Sequence, residues 1–461
     1  MKNFEPFLGA LLFLLSITVI FPKMGVQGSV HVDPYTYSSQ AALLAAQSTL
    51  FPEDPNIQSE FMFFEHPLLF KWLQAGFFKI FGISEFTSKA LVGMMGCLLI
   101  LLIFGFGNTF FSPWVGFLAG LFLLISPRFM MHASLCLLDI PLIFFSTLSI
   151  TAAIFSERHK CFYLISGFAL GCALLTKGSF GLLPIPIILF YLLISKKWKD
   201  LFSPYFMIGT LTPYFLILGY TFLLSRHHSD ISFMSFWRTT GYGTIQDPTF
   251  YIKTMFTRYL YLTLFAFIPF IRFTKLNTPH QKSIILTLFF WCMVVIGSLS
   301  LTSSKNQGYY LLSLNPAVAL LCAVGIESFL SLKLKRWIAY GVFTATLFMA
   351  LVFSFTPFSL HKKKLLSEVH YWKQYYELGG AISAITEKNV LYYFPGQNFF
   401  LNFRFSHAFK EKRFLPFHLS LLNTSNHIPL YIMANKPEIL PHVHHFTMIA
   451  QTQHLVILSI P

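Results

Sequence analysis

The sequence predicts an all-α polytopic membrane protein with about eleven transmembrane helices. Helices lying in the membrane interface fill a long first outer loop, and a small C-terminal α/β domain stands outside the membrane. Three observations carry this. The 461 residues are 55% hydrophobic and only 11% charged, and apolar stretches of roughly twenty residues, long enough to cross a hydrocarbon core as helices, recur along the chain. The basic residues gather in alternate connections between these stretches. Beyond residue 358 the apolar runs shrink to strand length.

In chain order the spans fall at 6–22, 88–110, 112–126, 140–156, 162–176, 179–195, 204–224, 257–272, 283–302, 309–329 and 337–357. The first ends in Val19-Ile20-Phe21-Pro22-Lys23, without the small residues of a signal-cleavage site, and reads as a retained helix. With the N-terminus inside, the inner connections carry Arg158 and Lys160, then Lys196, Lys197 and Lys199, then Arg272, Lys275 and Lys282, then Lys333, Lys335 and Arg336. Only the tight connection at Phe111-Ser112-Pro113 lacks a cation, so the orientation follows the positive-inside bias. In the outer loop 23–86, Ser38–Leu50 has helical composition. Pro67–Gly82 is amphipathic, with Lys71, Gln74 and Lys79 near one stripe, and such a helix prefers the headgroup plane.

An odd span count leaves Ser359–Pro461 outside, as an extramembrane cap to a membrane domain of residues 1–358. Within it Leu365–Ile385 reads as a helix, and the runs 390–394, 429–433 and 455–458 read as short strands. The net charge of +15 is spread between apolar spans rather than along one face, which argues against nucleic acid and for anionic lipid headgroups or phosphates. The six cysteines lie in or beside apolar spans without zinc-type spacing, and none follows Cys322.

Chemistry is expected in the outer loops. Asp33 and Asp139 both stand at helix starts, where capping is a sufficient explanation and is compatible with a functional role. Glu65 and His66 lie between aromatic residues and Pro67, where an interfacial carboxylate needs a partner: a lysine, a histidine or a cation. Lys177 and Lys305 close outer span ends, and Arg238 belongs to the same side. Snorkelling accounts for isolated cations, whereas converging ones would bind a phosphate as leaving group. Arg128 opens the loop that ends at Asp139, and Tyr309 and Tyr310 are either hydrogen-bond donors or part of an aromatic belt. No nucleotide-binding loop, HExxH, GxSxG or CxxC run is present.

Taken in order, these stretches resemble the polytopic GT-C glycosyltransferases that use polyprenyl-phosphate sugars, including protein O-mannosyltransferases and aminoarabinose–lipid A transferases. The likeness rests on Asp33 and Tyr37, on Phe64-Glu65-His66-Pro67, on Asp139, on Leu175-Thr176-Lys177-Gly178, and on Ser304-Lys305 through Tyr309 and Tyr310 to Pro316. It departs from the family at Pro34, where an acidic residue is usual, and at His66, where the lipid A branch has lysine.

The resemblance implies an inverting transferase moving a sugar from a polyprenyl-phosphate donor to an envelope acceptor (lipid A, another glycolipid, a glycan or a protein) at the periplasmic face of a bacterial inner membrane. Asp33 and Asp139 would be catalytic. Lys177, Arg238, Lys305 and Tyr309 would hold the donor phosphate, and Tyr37, Glu65, His66 and Arg128 would contact substrate. Glu65 is a candidate ligand for a divalent metal by resemblance alone. The alternative is a transporter or flippase for a lipid-linked or anionic solute, which calls for charges deep within several spans.

Overall fold

A computed structural model describes residues 4–24, 32–51, 66–227, 247, 249–258, 269, 278–302, 307–327 and 329–355, with strands at 391–393, 414–416, 430–435, 447–451 and 455–460. By backbone contacts the chain divides into two compact units. One comprises Met1–Pro22, Met62–Phe70 and Lys89–Thr356, and the other comprises Lys23–Phe61, Lys71–Ser88 and Pro357–Pro461.

The helices are α1 (Phe4–Ile20), α2 (Val32–Gln47), α3 (Leu69–Phe81), α4 (Glu85–Phe110), α5 (Pro113–Ile125), α6 (Pro127–Ala133), α7 (Asp139–Phe155) and α8 (Phe162–Lys177). They continue with α9 (Pro184–Ile194), α10 (Pro204–His227), α11 (Phe250–Arg258), α12 (Pro279–Thr302), α13 (Asn315–Glu327) and α14 (Leu332–Phe355). Every expected span coincides with a helix except 257–272, most of which lies outside the described residues. The protein is thus an integral membrane protein built mostly of helices. Among the described residues, five helices are long and apolar enough to cross a membrane, or six if α5 and α6, bent by 77° at their junction, form one broken span.

Prolines explain why some expected spans are interrupted. A proline lacks the N–H that a helix interior needs but starts a helix well. Pro184 begins α9 after a 3₁₀ turn at Gly178–Leu182, and Pro316 follows Asn315 at the start of α13 after a 3₁₀ turn at Gly308–Leu314. In the same way Pro127 opens α6 two residues after α5 ends, with only Ser126 between, which re-aims the chain. At 11 residues α9 is about 16 Å long, roughly half a hydrocarbon thickness.

In the first unit α8 packs antiparallel against α7 and also against α10, while α5 packs against α13 and α1. The α8–α10 crossing depends on glycine: a Cβ on Gly167 would sit 1.7 Å from the Gly209 carbonyl oxygen. Small residues of this kind let membrane helices approach backbone to backbone. Between α7 and α8, buried Ser166 donates to the Ser149 carbonyl at 2.9 Å.

At the far end of α7, the turn 156–161 is tied to its neighbours through two carboxylates. Glu157 accepts from Tyr191 and pairs with Lys197, and His280 Nε2 lies 2.9 Å from its other oxygen. Asp200 pairs with Lys160 and accepts from Tyr163 at 2.9 Å. Burial pushes the Glu157 carboxyl up, but the neighbouring His280, Lys197 and Tyr191 side chains outweigh this and hold it at about 2.

In the second unit α2 and α3 pack through Ala41, Ala42 and Phe78, with Ala45 and Ile83 beside them. Trp72 Nε1 donates to the Leu50 carbonyl at 2.7 Å and its ring meets Phe51 edge-on at 5.8 Å. In α3 burial does not follow polarity alone: Phe70, Ala75 and Phe78 are buried and Lys79 is exposed, but two polar residues also lie inward. Lys71 and Gln74 are buried, and Leu73, Ile80 and Phe81 are exposed. Gln74 Nε2 is satisfied by the Thr87 carbonyl at 3.1 Å.

The tail contributes a mixed five-stranded sheet in the order β2-β1-β3-β5-β4. β1 (Leu391–Tyr393) runs parallel to β2 (Phe414–Pro416) and β3 (Leu430–Asn435), and β5 (Leu455–Ile460) runs antiparallel to β3 and β4 (Thr447–Gln451). Three of these strands fall on the expected runs, and β2 and β4 were not anticipated. The expected helix Leu365–Ile385 lies outside the described residues.

Candidate active site

The start of α7 and the end of α8 lie together because the two helices are antiparallel neighbours. Asp139 and Lys177, 38 positions apart, therefore meet: Lys177 Nζ donates to Asp139 Oδ1 at 2.6 Å. The other carboxylate oxygen, Oδ2, lies 3.1 Å from His132 Nδ1, near the end of α6. All three are buried, with 7%, 7% and 3% of the surface of Asp139, Lys177 and His132 exposed. Asp139 is the first residue of α7 rather than its N-cap, which is Leu138, and its carboxylate is engaged by Lys177 and His132. Lys177 does not snorkel either: its ammonium ends on a buried carboxylate.

Aromatic rings surround that ammonium. Lys177 Nζ lies 5.5 Å from the Tyr310 ring, 5.7 Å from Phe180 and 6.0 Å from Tyr309, distances at which ring faces attract a cation. Tyr309 and Tyr310 meet edge-on at 4.7 Å, and Tyr309 also packs against His132 at 5.5 Å. Backbone geometry helps deliver these groups. Gly178 takes φ +59, a left-handed value that ends α8 and turns the chain into the 3₁₀ turn carrying Phe180. Gly308 leaves room for Arg128: a Cβ there would fall 2.6 Å from the guanidinium Nη1. Beside it, Asn315 Nδ2 donates to Ser126 Oγ at 3.2 Å, tying α13 to the α5–α6 junction.

The structure thus brings together Asp139, Lys177 and Tyr309, with Arg128 packed against the residue preceding Tyr309. Asp33 is exposed in the first turn of α2, and Tyr37 is buried one turn later in that helix. His66 is buried ahead of α3. Glu65, Arg238 and Lys305 lie outside the described residues. Among the described residues, no three His, Cys, Asp or Glu side chains stand close enough to hold a metal ion. His132, Phe180 and Gly308 were missed by sequence reasoning. His132 lies seven positions before Asp139 within the loop Ser126–Asp139, and its spacing alone gave no signal.

A buried ammonium, paired with one carboxylate and walled by rings, keeps its field where water cannot screen it. Such a group is suited to stabilise an anion that develops or departs beside it.

Residues 65–221, which include Arg128, His132, Asp139 and Lys177, match the family model of the dolichyl-phosphate-mannose-protein mannosyltransferases. Two uncharacterized proteins of Aquifex aeolicus are similar. One is 26% identical over 70% of this chain and 72% of its own length, and the other is 27% identical over 65% and 68%. In fold the chain is similar to ArnT from Cupriavidus metallidurans solved with undecaprenyl phosphate (TM-score 0.71, 15% identity, 100% of this chain and 98% of that one). It is also similar to the Archaeoglobus fulgidus oligosaccharyltransferase in the apo form (TM-score 0.50, 14% identity, 76% of this chain and 55% of that one). The chain therefore shares its fold with ArnT from Cupriavidus metallidurans, and residues 65–221 match the dolichyl-phosphate-mannose-protein mannosyltransferase family model.

Proposed function

We propose that the protein is an inverting membrane glycosyltransferase that moves a sugar from a polyprenyl-phosphate carrier to an envelope acceptor at the periplasmic face of the inner membrane. The observation that carries this is the buried Lys177–Asp139 pair inside its aromatic cage, in a fold shared with a protein crystallised with undecaprenyl phosphate. Lys177 would take the negative charge left on the carrier phosphate when the glycosidic bond breaks, with Tyr309, Arg238 and Lys305 completing that shell. Asp33 would orient and deprotonate the acceptor hydroxyl, and Asp139 would hold Lys177 in place. Tyr37, His66, Arg128 and Glu65 would shape the substrate cleft. Phosphate is a good leaving group, so positioning and charge stabilisation supply most of the acceleration.

A divalent metal at Glu65 is a further part of the proposal. The described residues offer His66 as one neighbouring donor, and no step above passes through a metal. Elemental analysis of protein purified with and without chelator tests it: one bound divalent ion lost on Glu65→Gln supports the metal, and none in either sample rejects it.

The carrier alternative calls for charges deep in the spans. Among the described residues, the buried charged side chains Lys71, Lys89, Asp139 and Lys177 all stand near helix ends, which favours the enzyme. The test is transfer of radiolabelled sugar from a polyprenyl-phosphate donor in detergent. Asp33→Asn and Asp139→Asn are expected to lower turnover by at least about 100-fold, in the range of a lost general base or charge stabiliser. Undiminished turnover in Asp33→Asn removes that residue from catalysis. Flipping by the purified protein in vesicles without acceptor supports the carrier instead.

A further inference from the structure

We propose that His132 is a positioning residue which fixes the Asp139 carboxylate so that Lys177 stays poised for a phosphate; this rests on the glycosyl-transfer reading above. A carboxylate offers two oxygens, and each is engaged here by a different side chain: Oδ2 by His132 Nδ1 at 3.1 Å and Oδ1 by Lys177 Nζ at 2.6 Å. The imidazole is held in turn by the Tyr309 ring at 5.5 Å, the same ring that faces the ammonium. Buried among these groups, the imidazole has little freedom to turn.

The consequence is a division of labour at one carboxylate. With Oδ2 occupied, Asp139 presents only one oxygen to the lysine. An ammonium held through one carboxylate oxygen turns toward an incoming phosphate without first breaking a two-oxygen pair. Without the imidazole, the carboxylate can rotate and offer both oxygens to Lys177. The cation is then drawn toward Asp139 and competes less well for phosphate. His132 thus acts on the carrier phosphate through Asp139 and Lys177 rather than by touching it.

Undecaprenyl phosphate titrated into the full-length protein in nanodiscs tests this, with His132→Ala, His132→Asn and His132→Gln compared. An asparagine amide nitrogen takes the place of Nδ1, whereas a glutamine reaches toward the place of Nε2. Loss of a hydrogen bond to a charged group corresponds to roughly a tenfold change in affinity. His132→Ala is therefore expected to weaken binding about tenfold, with His132→Gln similar and His132→Asn close to wild type. In a Lys177→Met background, His132→Ala should cause no additional loss, because the effect runs through the lysine. If the alanine variant fails to fold, the asparagine–glutamine contrast decides. The proposal is overturned if His132→Ala binds like wild type, if asparagine is no better than glutamine, or if the two losses simply add. Wild-type affinity in Lys177→Met alone would sink the phosphate-site reading itself, a result distinct from failure of the histidine variants.

Discussion

At the residue scale, the site is an economy of one carboxylate. Asp139 and Lys177 compensate each other in a buried setting, so removing either partner strands the other. Truncating one member of such a pair typically costs about 3–5 kcal/mol, while neutralising both costs less. Asp139→Ala is expected to lower thermal stability in detergent by an amount of this order, and the Asp139→Ala/Lys177→Met double variant to recover part of it. Differential scanning fluorimetry of the four proteins closes that cycle, and strictly additive losses would contradict a direct pair. Much of this was legible in the sequence: Asp139 and Lys177 stood out as polar residues at the ends of apolar spans on one side. Their pairing was not, because it depends on α7 and α8 being packed neighbours. His132 was invisible for a further reason. A lone histidine in a short loop looks the same whether it is satisfied locally or aimed at a carboxylate seven residues on.

At the element scale, hydrophobic length and proline punctuation placed the helices well, and glycine decided how closely they approach. Gly167→Ala brings a methyl group into the Gly209 carbonyl and should force α8 and α10 apart. A loss of about 1–3 kcal/mol is expected, as for other overpacked contacts, read as a lower unfolding temperature. Gly219→Ala, on the same α10 but with open space around it, should have little effect.

The turn at Glu157 gives a second test. Its carboxyl is held at about 2 against an ordinary 4.5. The stabilisation is therefore complete above pH 4.5 and is lost as pH falls from there toward 2. The stability gap between wild type and Glu157→Gln should be widest at pH 6 and shrink below pH 4.5. A gap that stays constant down to pH 3 would show that the ionised carboxylate contributes nothing there. These ties were hidden in the sequence because Arg158, Lys160, Lys197 and Lys199 read together as an orientation signal. The carboxylates Glu157 and Asp200 carry no spacing pattern that marks them as partners of these cations. On α3 two polar residues, Lys71 and Gln74, are buried along with Phe70 and Phe78, while Leu73, Ile80 and Phe81 are exposed.

At the scale of the whole molecule, the reading requires the site end of α7 and α8 to face outward and the Glu157 end to face the cytoplasm. The two ends are separated by the length of α7, 17 residues or about 25 Å. In a Cys161→Ser background, chosen because Cys161 is an exposed thiol, Met448→Cys should react with a membrane-impermeant maleimide in intact spheroplasts. Lys199→Cys should react only after permeabilisation, and the opposite pattern would invert the topology. The membrane class and most helix positions followed from composition and periodicity, since apolar length is a strong local signal. The tail was legible only in part: β2, with three residues, and β4, ending in Gln451, carry too little hydrophobic pattern to announce themselves.

The central claim is that Lys177, held by Asp139, is the cation that receives the carrier's phosphate. Affinity for undecaprenyl phosphate, measured on wild type, Lys177→Met and the exposed-cation control Lys199→Met, tests it most directly. The account predicts at least about a tenfold loss for Lys177→Met, as for a removed charged hydrogen bond, and no change for Lys199→Met. Equal affinity in all three proteins, or an equal loss in both variants, would contradict it.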